Sequence, residues 1–183
     1  MITFDARQLK KLTRAMRGIE NGVPRVLVPA INRALASGQT TVRREIRRVY
    51  LIKQKDIPTK VRRATRATLA GEIRITQGML GADKFVYRPK APTARKRPLF
   101  VQIKKGGGGY ITRGFVNTGL QGPYQRRSTA GRLPIRKVIA IGAPIMASQP
   151  SVGPAANKTM GDTLAKRIDH EMKRVLASAG GHS

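Results

Sequence analysis

Between Asp83 and Asp162 the sequence contains no carboxylate side chain, and every charged residue in that interval is Lys or Arg. Such a segment cannot neutralise its cations with acids close by in sequence, so its folded surface stays positive. Over all 183 residues, 37 Lys and Arg stand against 9 Asp and Glu, which leaves a net charge of +28. A surface of this kind is best tolerated against an anionic partner, either nucleic acid or an acidic protein wall. Simple solubility is the competing interpretation, but soluble surfaces usually mix both signs of charge.

The rest of the chain is organised around residues 110–146, which lie inside this acid-free interval. The pattern predicts a strand over 111–116, a Gly-rich turn, a second strand carrying Arg126 and Arg127, a basic loop, and a third strand reaching Ile141. Apolar strands with unneutralised cationic loops indicate a binding surface. The candidate contact residues are the cations of these loops and of the hairpin before them: Lys104, Lys105, Arg113, Arg126, Arg127, Arg132, Arg136 and Lys137.

Apolar residues at three- and four-residue spacing predict two helices at the N-terminal end. The first spans about 5–20, and Asp5 is placed to cap its start. The second begins at Pro24 or Pro29, either of which is acceptable as a first-turn proline, and it reaches about Val49. The short link between the two helices favours an antiparallel hairpin.

Shorter elements follow. Asp56-Ile57-Pro58 has the pattern of a cap and a first-turn proline, which predicts a short helix through about Arg66. Apolar and polar residues then alternate over 69–76, which is typical of a strand. The proline-rich, basic segment 88–98 is expected to be an exposed loop or a disordered arm. Another alternating strand over 99–103 leads into a tip of four consecutive glycines.

The C-terminal end is predicted to be a linker followed by a helix. Residues 147–157 are rich in Pro, Ser and Ala, as linkers are. Thr159 and Asp162 resemble a capping box, and a helical apolar stripe follows them to Ala177. Gly180 and the glycine after it are expected to end this helix.

The order of these elements predicts an α+β fold, in which an N-terminal helical hairpin and a C-terminal helix pack on a mainly antiparallel β-sheet. We expect a single domain over 1–183. Its parts are a helical part over 1–66, a sheet over 67–146 that includes the basic arm 88–98, and the C-terminal helix over 158–178.

Several classes of protein are excluded by composition. There is no Cys, so disulfides and thiolate metal sites are ruled out, and no apolar run approaches the ~20 residues of a membrane span. The N-terminus lacks the apolar core of a signal peptide. The closest acid–imidazole group is Asp169, His170 and Glu171, but consecutive helical positions point in different directions and cannot converge on one ion. We therefore expect no catalytic residues, no metal and no cofactor, hence no enzyme.

Nucleic-acid binding through phosphates needs only charge and reach, which the arginine pairs 43–44, 47–48, 62–63 and 126–127 would supply. No helix-turn-helix, zinc-finger or RNP-type aromatic pattern is present, so any DNA contact is expected to be independent of sequence. The alternative interpretation is that these arginines pair with acidic neighbours in an assembly. The two interpretations stay open at this point.

A resemblance to a known family rests on residues spread over most of the chain. They are the N-terminal helix pair, the LIKQKDIPTKVRRAT segment over 51–65, the TLAGEIRIT strand, and the run FVNTG…YQRR…GRLPIRKVIAIGAPI from Phe115 to Ile145. The closing helix, TLAKRIDHEMKRVL, completes the pattern. With these features the chain resembles phage minor tail protein Z and the related tail-completion (neck) proteins of long-tailed phages.

This resemblance implies a structural, non-enzymatic virion protein, made in the host cytoplasm, that acts where the tail joins the head. It also implies a homo-oligomeric ring, expected to be six-fold, around the path taken by DNA. Its partners would be tail terminator, tail tube or head-connector proteins, with sequence-independent contact to genomic DNA and no membrane. The rival hypothesis, motivated by the charge alone, is a stand-alone sequence-independent nucleic-acid-binding protein.

Overall fold

The computed structural model of the protein describes residues 6–76, 78–92, 97–117, 119–127 and 131–180. Within these ranges the chain forms four α-helices: α1 (Ala6–Ala15), α2 (Gly22–Val49), α3 (Ala143–Ala147) and α4 (Val152–Gly180). None of the helices in these ranges is both long enough and apolar enough to cross a membrane.

Ten short strands of the described residues lie between α2 and α3: β1 (Lys60–Arg62), β2 (Glu72–Arg74), β3 (Met79–Gly81), β4 (Val86–Arg88), β5 (Leu99–Gln102), β6 (Gly109–Ile111), β7 (Gly114–Val116), β8 (Pro123–Arg126), β9 (Ile135–Lys137) and β10 (Ile139–Gly142). They pair antiparallel as β1–β2, β3–β10, β4–β5–β6 and β7–β8–β9. Segregated helices and antiparallel strands confirm the predicted α+β class. The strands form four small sheets where the sequence suggested one.

The described residues group into two compact units. The first combines the chain up to Val42 with 59–74 and with the part from Pro150 onward, and the second combines 43–58 with 75–149. Helix α2 contributes residues to both. The single-domain organisation remains a prediction.

The first unit has a core made by helix faces, and β1 and β2 contribute no fully buried side chain to it. Helix α4 buries an apolar residue every four positions, among them Met160, Leu164 and Ile168. Burying such side chains stabilises the folded state by about 1.5–3 kcal/mol each before the opposing entropy terms. Glycine permits a close approach on α2, because a Cβ at Gly38 would overlap the side chain of Met160.

The second unit packs its sheets around buried apolar and aromatic side chains. Leu99 of β5 is fully buried, and Val101 of the same strand is nearly so. Tyr50, just after α2, is also buried, and its hydroxyl accepts a hydrogen bond from Nε2 of Gln149 at 2.8 Å. The phenol therefore adds apolar area without leaving its oxygen unpaired.

The helix predictions are confirmed for α2 and corrected for α1. Helix α1 ends at Ala15 rather than near residue 20. Turns follow, in which Gly18 takes a φ of 88° and Asn21 a φ of 53°. These left-handed conformations end a right-handed helix. The predicted cap at Asp5 lies outside the described residues.

The short helix predicted over 56–66 is wrong. A 3-10 turn covers Gln54–Asp56, and β1 occupies part of the predicted helix. Ile57 is extended, with φ −87° and ψ 105°, as expected for a residue that precedes a proline. The Asp56 carboxylate pairs with Nζ of Lys84 at 3.1 Å.

The linker predicted over 147–157 is shortened to residues 148–151, because α3 ends at Ala147 and α4 already begins at Val152. Pro154 falls within the first helical turn, where its missing N–H leaves no hydrogen bond unmade. Thr159 consequently lies inside the helix and caps nothing. Its hydroxyl donates instead to the carbonyl oxygen of Ala155 at 2.9 Å.

Two of the predicted strands are each divided in two. The strand predicted over 111–116 is broken by a tight turn at Thr112 and Arg113, so its halves belong to different sheets. The strand predicted from 135 to 141 is divided at Val138. The N–H of Val138 donates to Pro123, and its carbonyl accepts from Ala82, both at 2.9 Å, so this residue connects two sheets.

The remaining strand predictions are shortened or confirmed. Of the strand predicted over 69–76, only Glu72–Arg74 is formed as β2. The alternation over 99–103 is confirmed as β5, and three of the four glycines lie in the β5–β6 connection, while Gly109 begins β6 opposite Val101. In the predicted basic arm 88–98, Arg88 is the last residue of β4. The described residues that follow it form no strand before β5 begins at Leu99. Residues 93–96 of the arm lie outside the described residues.

Candidate anion-binding surface

Four of the eight predicted contact residues meet at one open pocket of the second unit. The pocket has a volume of about 320 Å³ and is lined by two polar residues and four arginines: Thr112, Gln125, Arg113, Arg126, Arg127 and Arg136. We call these six residues the arginine pocket. Its members come from three separate parts of the sequence, which the β7–β8–β9 sheet brings together.

Strand pairing places Gln125 and Arg136 side by side. In the register of the sheet, Gln125 lies opposite Gly114 on one side and opposite Arg136 on the other. Arg113 occupies the turn before β7 with a φ of 57°, a left-handed conformation that is uncommon for a residue with a side chain. Its carbonyl accepts from the N–H of Arg126 at 3.3 Å, which closes the turn onto β8.

Gln125 forms the centre of the pocket. Its Oε1 accepts from Nε and Nη2 of Arg136, at 3.1 and 2.9 Å. Its Nε2 donates to the carbonyl of Thr112 at 3.0 Å, which fixes the orientation of the amide. A neutral amide holds the guanidinium in place without cancelling its charge. The arrangement therefore orients a cation and leaves it available to an anion.

Arg126 is held by stacking. Its guanidinium carbon lies 4.7 Å from the centroid of the Phe115 ring, and that ring lies 6.4 Å from the ring of Tyr124. A cation over an aromatic face gains roughly 0.5–1 kcal/mol at exposed sites. The stack keeps this partly buried side chain ordered without a carboxylate.

The other four predicted residues do not line the pocket. Lys137 pairs through Nζ with the carboxylate of Asp83 at 2.9 Å, so its charge is largely neutralised. Lys104 lies in the β5–β6 hairpin with its Nζ 5.7 Å from the Tyr50 ring, and Lys105 follows it. Arg132 is exposed in the loop before β9.

The pocket is electrostatically unbalanced within the part of the chain that the structure describes. The ion pairs found there involve none of the four pocket arginines. Several acids are engaged elsewhere; Glu45, for example, pairs with Arg44 and Arg48. Four cations around one hollow repel one another, so an anion placed between them would be favoured.

Comparison with protein families decides the kind of protein. The family model described as prophage minor tail protein Z matches residues 6–178. The chain belongs to the prophage minor tail protein Z family. The suspected family is thereby confirmed, and with it a structural role in a bacteriophage tail. Comparisons with curated proteins and with solved structures found no match.

Two residues of the arginine pocket were not predicted from sequence, namely Thr112 and Gln125. Charge alone singled out the arginines, whereas these two side chains are neutral. The sequence did offer one signal for Gln125. It lies in a predicted strand, where its side chain is expected to contact residues on the neighbouring strands. The break at Thr112 had no such signal, because it follows from the pairing of β7 with β8.

The described part of this family member contains no group of three or more His, Asp or Glu residues that could hold a metal ion. The triplet 169–171 lies on α4, where Glu171 is buried and pairs with Nε of Arg174 at 2.8 Å. His170 lies 3.6 Å from the same carboxylate. What the arrangement in the second unit offers chemically is recognition of an anion.

Proposed function

We propose that the chain is a tail-completion (neck) subunit, acting at the head-proximal end of a long phage tail and helping to join tail to head around the DNA path. The role is structural and non-enzymatic. The observation that carries it is the arginine pocket in a chain of the minor tail protein Z family: four arginines converge, and none has a carboxylate partner among the described residues.

The pocket arginines have no carboxylate partner among the described residues, and this favours an anionic neighbour. A guanidinium on a protein surface gains most from planar oxyanions, which it binds through paired hydrogen bonds. Phosphates of the genome and carboxylates of a tail tube, tail terminator or head-connector protein both meet this requirement. A ring of subunits, expected to be six-fold, would present such pockets repeatedly around the DNA.

The experiment is reconstitution with tails of the cognate phage that were assembled without this protein. Tails incubated with the purified chain are imaged by electron microscopy, and the end occupied is recorded. The pocket variant is Arg113→Gln with Arg127→Gln, since the other two arginines are held by Gln125 and Phe115. The matched control is Arg88→Gln with Arg97→Gln, two exposed arginines of the same unit outside the pocket.

We expect the wild type and the control to occupy the head-proximal end, and the pocket variant to lose at least about tenfold in occupancy, as one or two lost charge-assisted contacts would produce. A wild-type protein that never associates with tails would refute the tail-completion role. In that case the stand-alone nucleic-acid binder becomes the better account. Equal occupancy by all three proteins would keep the role and discard the arginine pocket as its contact.

A further inference from the structure

A second basic surface, separate from the arginine pocket, lies in the first unit. Two adjoining hollows run along α2 and share Pro29, with volumes of about 340 and 240 Å³. Arg33 and Arg63 line the first hollow, and Arg25 and Arg66 line the second. Arg174 also lines the second hollow, but its guanidinium is paired with the carboxylate of Glu171 at 2.8 Å. We call Arg25, Arg33, Arg63 and Arg66, with the hollows between them, the helix groove.

The helix supplies one wall of the groove through its periodicity. Arg25, Pro29 and Arg33 follow one another at four-residue spacing, so they lie on one face of α2. Residues eight apart are separated by roughly 12 Å along a helix axis. The proline between the two arginines carries no long side chain, which leaves the hollows open.

The other wall is fastened to the helix by an amide clamp. Asn32 donates from Nδ2 to the carbonyl of Ala64 at 3.1 Å and accepts from the N–H of Ala64 at 2.9 Å. Thr65 and Thr68 close a tight turn just beyond. Because Ala64 is held to the helix at both of its polar backbone atoms, the backbone near it is fixed, and Arg63 and Arg66 extend their exposed side chains from the rim of the groove.

The charge of the groove is not balanced from within the described part of the first unit. The ion pairs there include Arg62 with Glu72 and Arg174 with Glu171, but none of the four groove arginines. All four are exposed. The fixed geometry of the walls and the absence of a carboxylate partner distinguish the groove from an ordinary solvated charged face.

We propose that the helix groove binds the phosphate backbone of duplex nucleic acid, independently of sequence. The separation of the helix arginines corresponds to the axial rise of roughly three to four phosphates of one B-DNA strand. The lining residues include no aromatic side chain, which disfavours a stacking platform for single strands. It also disfavours a protein interface, whose central residues are typically aromatic. This inference does not rest on the tail-completion role.

The test measures the affinity of the purified full-length protein for two unrelated 20-bp DNA duplexes over a range of salt concentrations. The groove variant carries four changes: Arg25→Gln, Arg33→Gln, Arg63→Gln and Arg66→Gln. The matched control removes four exposed cations elsewhere in the same unit: Arg14→Gln, Arg17→Gln, Lys158→Gln and Lys166→Gln. Both proteins have the same net charge, so a general electrostatic effect changes them equally. Circular dichroism checks that both are folded.

Each phosphate contact contributes about 0.9 to the slope of log K against log salt. We expect the slope of the groove variant to be smaller in magnitude by about 2–4. We also expect its affinity for both duplexes to fall at least about tenfold near 0.1 M salt. The control should change the slope by less than about 1. Equal losses in the two variants would overturn the proposal. It would also be overturned if the groove variant kept its DNA affinity and lost binding to poly-L-glutamate, which would identify an acidic protein surface.

Discussion

At the scale of single residues, the neutrality of Gln125 decides whether the arginine pocket stays cationic. Oε1 of this amide lies 2.9 Å from Nη2 of Arg136, and an isosteric carboxylate there would pair with that guanidinium. We predict that Gln125→Glu weakens binding of the protein to an anion such as inorganic polyphosphate by roughly tenfold, as expected for one neutralised charge-assisted contact.

The measurement is isothermal titration calorimetry, in which polyphosphate is titrated into each protein. Gln54→Glu is the matched control, because it makes the same charge change at an exposed residue outside the pocket. The control should lose less than about threefold, the effect of one added charge at a distance under physiological screening. Equal losses in both variants would mean that only net charge matters.

A second residue-scale prediction concerns Lys84, whose pKa is raised above its ordinary value of 10.5, chiefly by the hydrogen bond to Asp56. A raised pKa in the folded state means that the pair stabilises the protein below pH 10.5, and that this contribution is lost as pH rises through the folded-state value. The side chain of Lys84 is 45% exposed, so the coupling is at most about 1 kcal/mol.

A double-mutant cycle with Lys84→Gln and Asp56→Asn, measured by urea unfolding, should show this coupling at pH 8. The coupling should shrink toward zero at the highest pH at which the protein still folds. Thr76→Ser, an exposed substitution with no charge change, reports the general effect of pH on unfolding. A coupling energy that stays constant with pH would contradict the assignment.

At the scale of elements, the contact between α2 and α4 depends on Gly38. Alanine at an exposed helical position is favoured over glycine by about 1 kcal/mol, but at Gly38 it would overlap Met160. At Gly161 of α4, by contrast, a Cβ would meet nothing within 4 Å. We predict that Gly161→Ala raises the free energy of unfolding by about 0.5–1 kcal/mol, whereas Gly38→Ala lowers it by about 1–2 kcal/mol through overpacking.

Urea unfolding of the two variants tests this contrast directly, since the same substitution is made in the middle of two long helices. In a double-mutant cycle, Gly38→Ala should cost less stability in a Met160→Ala background than in the wild type, because the side chain that it overlaps has been removed. Equal stabilisation by both alanines would show that α2 and α4 do not approach closely at Gly38.

The elements also show how far the sequence determines the fold. Helix α2 and the apolar stripe of α4 were predicted, because 3.6-residue periodicity over many turns is a strong local signal. The short strands were not located reliably. The division at Val138 arises from hydrogen bonds to Pro123 and Ala82, which are distant in sequence. The pattern Asp56-Ile57-Pro58 was misread because the carboxylate of Asp56 pairs with Lys84 instead of capping a helix.

The candidate site was likewise predicted from the sequence only in part. Its arginines were found from charge alone, but their convergence depends on the register of β7, β8 and β9, which no local pattern specifies. Lys137 was predicted as a contact and is paired with Asp83, because strand β10 returns beside β3. The helix groove was predicted only in part. Arg63 belongs to a pair that was named as a possible phosphate contact, but its meeting with α2 depends on the Asn32 clamp and on the hydrogen bonds from Gln39 to Thr59, which no local pattern specifies.

At the scale of the whole molecule, a net charge of +28 should make stability depend strongly on the ionic medium. Screening lengths fall from about 30 Å in 0.01 M salt to about 3 Å in 1 M salt, so added salt relieves repulsion between like charges. We predict that raising sodium chloride from 0.02 to 0.5 M increases the melting temperature by roughly 2–8 °C, which corresponds to about 1–2 kcal/mol for a chain of this size.

Scanning calorimetry in sodium chloride is the measurement, because sulfate would stabilise most proteins by exclusion from the surface and obscure the effect. Polyphosphate at matched ionic strength should raise the melting temperature further, since a ligand that binds only the folded chain stabilises it by mass action. A melting temperature that falls with salt would mean that pairs such as Glu45 with Arg48 outweigh the repulsion among unpaired cations. The cationic surface would then not need an anionic partner for stability, and the net charge would no longer favour such a partner.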